Sequence, residues 1–378
     1  MRVLHVTPAF PPAVGGMETF VYQLCRYSMR DLGVETLVVH LHSEISEFRR
    51  EDYRGIAVVR APTRHYFGVW TWPPSLREYV DTCDLIHVHD FRMSGITVNM
   101  VLQRRGRPMV LSTHGGFFHT GRGSILKSIY YRTLLPVVLS RYRAILASSV
   151  SDYEMVRGLH PRVTRIDNGI DYDGFAGIPP LAADPPNFLY FGRFARNKRM
   201  DRLFQAFGAL ADLGVPFRLF VTGPDSAETK EDLMRHLAAS GISERVEVRF
   251  NSDDAGLRQL LESATYFVLA SEYEGFGLAA VEAMAAGRVV LLNRIKPFSD
   301  FVESGKDGFL VDFSNPERAA SQIKAVMAHD LAAKREIAER ARRRARDFSW
   351  SSRVLEFKKA YDLAGATRRD AYGETLES

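Results

Sequence analysis

Four short segments of this chain bring together residue types that do chemistry in combination. In Ser271-Glu272-Tyr273-Glu274-Gly275-Phe276-Gly277-Leu278, glycines lead into a helix-forming run through Ala285, and seven residues separate Glu274 from Glu282. Glycines at a helix start let the chain turn and leave unpaired backbone N–H groups aimed at an anion. Carboxylates beside a bound phosphate would repel it, so Glu274 and Glu282 make sense as partners of hydroxyl groups on either side, such as a sugar and a ribose. Gly192-Arg193, with Lys198 five residues on, supplies a planar fork and a compact ammonium, which together clamp a diphosphate without a metal ion. Gly15 and Gly16 precede another helical pattern and let bare backbone approach a phosphate; their spacing is not GxGxxG, and an ordinary loop reads the same way. His114, followed by Gly115-Gly116-Phe117-Phe118-His119, is an imidazole with glycines that leave room for a ligand. It could hydrogen-bond or move a proton near neutral pH. A lone histidine is more often structural, and nine of the eleven histidines lie before residue 161.

These segments need a scaffold, and the hydrophobic pattern supplies one. Short apolar, β-branched runs at Arg2 to Thr7, Val34 to Leu41, Ile56 to Arg60, Leu85 to His89, Met109 to Thr113, Arg143 to Ala147 and Val163 to Ile166 alternate with helix-period segments such as Met17 to Leu32, Ser94 to Arg105 and Ser124 to Leu139. Strand then helix, repeated, predicts a parallel sheet covered on both faces. A Gly-, Pro- and Ala-rich stretch at residues 171–185 reads as a linker, after which strands at Phe188 to Phe191, Phe217 to Thr222, Val246 to Phe250, Tyr266 to Ala270 and Val289 to Leu292 restart the pattern. The fold class is therefore α/β, with two doubly wound Rossmann-like domains at residues 1–171 and 186–348, and a helical tail at 349–378 that could cross back to the first. At 378 residues the chain exceeds one ordinary core. In such sheets ligands sit at the carboxyl ends of strands, where all four segments fall.

Charge and composition narrow the function. Residues 1–171 carry 21 Lys and Arg against 15 Asp and Glu, and Phe91 to Ser151 holds no acid but nine cations: Arg92, Arg104, Arg105, Arg107, Arg122, Lys127, Arg132, Arg141 and Arg143. That favours an anionic partner, whether phosphate, lipid headgroup or nucleic acid, or else solvated helix faces. Ile125, Ile129, Tyr130, Leu134 and Leu135 beside Lys127 and Arg132 read as a basic amphipathic helix suited to an anionic membrane surface. Cys25 and Cys83 form no CxxC pair, which gives no disulfide framework or zinc ribbon and points to a reducing, cytoplasmic setting. The first apolar run is too short for a signal-peptide core, and none approaches the ~18 to 20 residues that span a bilayer. GxGxxG with an acid ~20 residues on is absent, against a nicotinamide dehydrogenase. A nucleic-acid-binding protein could use the basic segment but leaves Glu274 and Glu282 without purpose. Asp171-Tyr172-Asp173 matches a metal-binding DxD formally, but it opens the linker and a second α/β domain follows.

Taken in order, the glycine pair, Thr113-His114-Gly115, Asn168-Gly169-Ile170-Asp171, Gly192-Arg193 with Lys198, and the Glu274 to Glu282 motif resemble family 4 glycosyltransferases, over most of the chain. The string from Ser112 to Thr120 is similar to GDP-mannose-dependent α-mannosyltransferases acting on diphosphopolyprenol-linked oligosaccharides in exopolysaccharide assembly. The resemblance implies a retaining enzyme of the GT-B fold, two domains facing a cleft, the first binding acceptor and the second a nucleotide sugar. It implies no cofactor and no metal. Arg193 and Lys198 would bind the donor diphosphate with the amides of Gly16 and Leu278; Glu274 would hold sugar hydroxyls, Glu282 the ribose, and His114 would lie near the transferred sugar. Gly115 to His119 would face the acceptor, and Phe276 with Arg249 to Asp253 would line the base pocket. A UDP-sugar donor or a soluble acceptor is the alternative within the family. The implied setting is cytoplasmic, at the inner face of the cell membrane, with no nucleic acid. Two positions depart from the family pattern: Arg199 stands where Gly usually follows the basic residue, and Asp167 where Pro usually precedes Asn168.

Overall fold

A computed structural model describes the chain except residues 14, 43–44, 67–69, 73–74, 91–93, 115–123, 182–184, 226 and 370–378. The chain divides into two compact units, one built on residues 1–169 and the helix Trp350–Arg369, the other on residues 170–349. The first holds an eight-stranded sheet of β1 (Arg2–Thr7), β2 (Glu35–His42), β3 (Arg49–Tyr53), β4 (Ile56–Pro62), β5 (Leu85–His89), β6 (Met109–Ser112), β7 (Ala144–Ala147) and β8 (Val163–Arg165), in the order β8-β7-β6-β5-β1-β2-β4-β3. All neighbours are parallel except β3 and β4. Parallel strands are covered on both faces and so read as continuous apolar runs, which is why the central strands were legible. Arg-Arg-Glu-Asp-Tyr in β3 was not: it is an exposed edge strand with no apolar alternation, and its charges guard the edge against further pairing.

The helix Trp350–Arg369 completes this unit. Trp350, Val354, Phe357 and Tyr361 are buried in the same cluster as Phe20, Val21 and Leu24 of the helix Gly16–Leu32. Gly169 lies against the Trp350 indole, leaving no room for a side chain.

The second unit is a six-stranded parallel sheet of β9 (Asn187–Phe191), β10 (Arg218–Gly223), β11 (Val246–Phe250), β12 (Tyr266–Leu269), β13 (Val289–Asn293) and β14 (Phe309–Val311), in the order β11-β10-β9-β12-β13-β14. The three-residue β14 is too short to show a period. Residues 171–185 read as a linker by composition, but the start of this stretch packs into the second unit. Asp171 caps the short helix Tyr172–Ala176, and Ile178 and Leu181 are buried in the core. Irregular backbone at a core surface must still satisfy its carbonyls. Four arginines do so here: Arg258 donates to Gly177 (2.6 Å), Arg342 to Ile178 (2.9 Å), Arg288 to Pro179 (2.6 Å) and Arg335 to Leu181 (2.6 Å).

The acid-free stretch is split by the first sheet. Arg104, Arg105, Arg107, Arg141 and Arg143 lie before the amino ends of β6 and β7, where Arg105 pairs with Asp81 at 2.9 Å and the Arg143 amide donates to Met109 at 2.7 Å. His114 follows the carboxyl end of β6. These five cations are therefore at the opposite end of the strands from His114, which corrects the expectation that the stretch as a whole carries that loop to a surface. Arg92, Arg122 and Gly115 to His119 lie outside the described residues, as do the side chains of Ile125, Lys127, Ile129 and Tyr130.

Phe357 is fully buried against Phe20, His87 and Tyr361. Phe357→Ala is expected to cost about 3–5 kcal/mol. Hydrogen exchange should show faster opening of β1, β5 and β6 and unaltered protection of β9 to β13.

Candidate active site

The carboxyl ends of the adjacent strands β9 and β12 bring together the second unit's candidates. After β9 the chain turns at Gly192, whose φ of 147° suits only glycine. Tyr190 Oη then donates to the Arg193 carbonyl at 3.0 Å, fixing the backbone behind an exposed Arg193 side chain. A 3₁₀ turn, Arg196–Lys198, follows. Lys198 Nζ donates to Glu274 Oε1 at 2.5 Å, and the Ser271 hydroxyl donates to the same oxygen at 2.7 Å. The Lys198 and Glu274 side chains are only 16% and 8% exposed, so each charge needs the other. Two residues expected to bind separate parts of a ligand thus neutralise one another across 76 residues of chain.

Amides and carbonyls hold the Glu274 loop in place. The Glu272 amide donates to the Asn197 carbonyl, Asn197 Nδ2 to the Tyr273 carbonyl and buried Asn293 Nδ2 to the Ser271 carbonyl, each at 2.9 Å. Gly277 closes the loop at φ 92°, where a Cβ would run into the Phe298 ring. The helix Leu278–Ala285 then opens with no acid in its first turn. Its N–H groups face the loop without an internal anion to compete for them. Asn197 and Asn293 were not singled out from sequence, and Ser271 entered only as the first residue of its motif.

Arg199, the departure from the family's glycine, occupies the left-handed region at φ 50°, ψ 51°. A side chain there costs roughly 1–2 kcal/mol. Here the guanidinium donates to both carboxylate oxygens of Asp201, at 2.9 and 2.6 Å, and to Glu272 at 2.8 Å. The loop keeps the shape a glycine would give it, with ion pairs offsetting the strain.

Glu282 is half-buried on the helix Leu278–Ala285, and its carboxyl is pushed up to about 7 by burial and then by the negative charge of Asp171. Near neutral pH it therefore holds a proton part of the time. Asp171 also accepts from the Gly174 amide at 3.4 Å as a helix cap, a role that draws the DxD pair into local structure. The half-buried Phe276 ring packs on Phe348 and Phe301, at 5.4 and 5.8 Å between ring centres. Arg249 and Phe250 end β11, and beyond them Asn251 accepts from the Asp225 amide and Asp253 caps the next helix through Gly256, both at 2.8 Å.

In the first unit Gly15 is extended and Gly16 begins its helix. The Glu18 carboxylate folds back over Gly15, so an anionic group already sits at the helix N-terminus. His114 is half-buried; its Nε2 is 3.1 Å from His89 Nδ1, and Phe20 meets its ring edge-on at 4.7 Å. Asp167 is buried beside Arg165 at 3.0 Å, and burial holds its carboxyl above the usual range. Among the described residues, nitrogens of His5, His87 and His89 lie within 4.8 Å of one another, the spacing of a loose metal site. Hydrogen bonds account for them: His87 bonds Tyr361 and Ser112, and His89 bonds His5 and His114.

Known proteins share this family and fold. The family model for Glycosyltransferase Family 4 matches residues 14–173 and that for Glycosyl transferases group 1 matches residues 176–347. Sequence identity to the GDP-mannose:cellobiosyl-diphosphopolyprenol alpha-mannosyltransferase of Komagataeibacter xylinus is 35% over 96% of this chain and 93% of that protein. To the enzyme of the same description from Xanthomonas campestris it is 30%, over 86% and 87%. Among solved structures, sucrose-phosphate synthase from Thermosynechococcus elongatus superposes with a TM-score of 0.73 at 19% identity, over 97% of this chain and all of that one. Anabaena HepE, in complex with UDP and glucose, gives 0.70 at 18% identity, over 96% and 99%. The chain belongs to glycosyltransferase family 4. It is a glycosyltransferase with the two Rossmann-like domains of the GT-B class.

The ion pair makes a direct test. Lys198→Met should cost about 3–5 kcal/mol by stranding a buried carboxylate. Lys198→Met with Glu274→Gln should cost less than the sum of the single changes by roughly 0.5–3 kcal/mol in chemical denaturation. Additive costs would mean that the two charges are not coupled.

Proposed function

We propose that the protein transfers mannose from GDP-mannose, with retention, to a diphosphopolyprenol-linked oligosaccharide. The observation that carries the reading is the Lys198–Glu274 pair beside exposed Arg193 and an acid-free helix start, in a chain 35% identical to an enzyme described by that donor and acceptor type. An arriving diphosphate competes for Lys198, which turns from Glu274 to phosphate oxygen while Arg193 and the Leu278 amide hold the remaining oxygens. Glu274, released, accepts hydrogen bonds from the sugar hydroxyls. Glu282, near its titration midpoint at neutral pH, can both donate to and accept from ribose hydroxyls. As the bond to the anomeric carbon stretches, positive charge grows on the sugar and negative charge on the departing nucleoside diphosphate, where the cations and helix amides stabilise it. The first unit contributes His114 to the reaction. The clamp is made of side-chain cations, so turnover is metal-independent.

Donor hydrolysis should therefore be measured with GDP-mannose, GDP-fucose, UDP-glucose, UDP-galactose and UDP-N-acetylglucosamine, each with excess chelator. GDP-mannose is expected to turn over fastest, with Arg193→Ala losing ~2 to 4 kcal/mol of transition-state stabilisation. Preference for a UDP-sugar, or activity lost to chelator and restored by Mg²⁺, would overturn the donor or the clamp respectively.

The lipid-linked acceptor requires contact with a membrane, and we assign the enzyme to the anionic cytoplasmic face as a peripheral protein. No helix among the described residues is long and apolar enough to cross a membrane. Support comes from the helix Ser124–Leu139 of the acid-free stretch, where Arg132 is exposed. Each such cation contributes ~1 kcal/mol near an anionic leaflet. In liposome flotation, binding should need anionic lipid, fall with salt and weaken when Lys127 and Arg132 become Ser. Equal partitioning onto neutral vesicles would remove this assignment.

A further inference from the structure

We propose that His89 and His5 are positioning residues for His114: a line of imidazole hydrogen bonds running from β1 through β5 sets which nitrogen of His114 carries its proton, and holds the ring in one orientation. The inference rests on the reading of His114 as a residue of the reaction site.

The sheet builds the line. His5 on β1 is the register partner of His87 on β5, and His89, two residues further along β5, faces the same side and is paired in register with Ser112 of β6. His114 follows two residues beyond Ser112. His5 Nδ1 lies 3.1 Å from His89 Nε2, and His89 Nδ1 lies 3.1 Å from His114 Nε2. The rings lie end to end along this line: His5 and His89 are 5.4 Å apart between centres at 18°, and His89 and His114 are 5.4 Å apart at 31°. His87 is locked alongside by Tyr361 Oη and Ser112 Oγ, each at 2.8 Å, with its ring 4.1 Å from that of His89. Phe20 closes the other side, 4.7 Å from His114 and 6.1 Å from His89.

Proton counting does the rest. His5 and His89 are buried, and removal from water disfavours their charged forms, bringing His5 down to about 3 and His89 well below its usual value. Each ring is thus neutral and carries one proton on one of two nitrogens. His89 is bonded through both, so if it accepts on one side it must donate on the other. The two bonds therefore run in the same sense. If His5 donates to His89, His89 donates to His114 Nε2 and the His114 proton is on Nδ1. If the sense is reversed, His114 donates from Nε2 and its Nδ1 carries no proton. The tautomer at His5 is thereby coupled to whether His114 Nδ1 can give or receive a hydrogen bond, without creating a charge in the core. The same logic of a buried partner fixing a tautomer governs catalytic histidines elsewhere.

Nitrogen-15 NMR of the imidazoles in the full-length, histidine-labelled protein tests this without any substrate, with His114 identified from its loss in His114→Ala. A single neutral tautomer of His114 is expected; a mixture of tautomers in the unaltered protein would overturn the proposal. His5→Phe keeps the ring volume and removes both nitrogens. It should turn the His114 signal into a mixture, lower kcat by at least roughly tenfold with KM for the nucleotide sugar unchanged, and have no further effect in a His114→Ala background. His5→Asn, which returns an amide near the Nδ1 position, should recover much of the rate and the single tautomer. An unmoved His114 signal in His5→Phe, or kinetic costs that simply add, would show that His5 acts by packing alone. Should His5→Phe fail to fold, the unaltered protein's spectrum and His5→Asn still decide. Failure of every sugar donor would remove the proposed function while leaving the tautomer result to stand or fall on its own.

Discussion

A half-buried ammonium and a buried carboxylate hold the second unit's candidate site together. Lys198 and Glu274 stand at the ends of neighbouring strands, and neither charge is tolerable there without the other. The surrounding loops follow from keeping them in register. Asn197 and Asn293 fasten the backbone that leads into Glu274, Gly277 brings the helix start close behind it, and Arg199 accepts a strained conformation so that Lys198 points inward. The pair is neutral at rest, so Lys198 is open to an anionic ligand only when that ligand competes with Glu274 for it.

The two units solve burial of polar groups differently. The second uses arginine against backbone: Arg288, almost wholly buried, donates to the carbonyls of Ala286, Leu261, Ala264 and Pro179. Its charge is spread over many carbonyl dipoles, and in return an irregular Gly- and Pro-rich segment becomes part of a rigid domain. The first unit buries histidines in a row, where each ring satisfies the next and none needs to be charged. Both devices are sensitive to substitution because a single lost partner leaves the others unsatisfied.

Much of the fold was legible because parallel strands covered on both faces must be apolar throughout. The runs at β1, β2, β5, β9, β10, β12 and β13 stand out against any loop. Where that condition fails, so does legibility: β3 is charged because it is an edge, β14 is three residues long, and residues 171–181 carry loop composition while their backbone is pinned by distant arginines. The tail is a similar case. Its apolar residues from Trp350 onward announced a buried face, but which core received them depended on Phe20 and Val21, more than three hundred residues earlier.

The candidate site divides along the same line. Residue type and local spacing were enough to place Arg193, Lys198, Glu274, the glycine turn and Glu282 at strand ends and a helix start, because turns and helix N-termini are local structures with local signals. Pairing is not local. That Lys198 would neutralise Glu274, that Asp171 would lift the Glu282 carboxyl, that Phe276 would join Phe301 and Phe348, and that His114 would end a line of histidines were all decided by which strands became neighbours. The chain by itself determined which groups could do chemistry; the order of strands in the two sheets determined which of them meet, since a hydrogen bond or an ion pair acts over a few ångströms of space however many residues separate its ends.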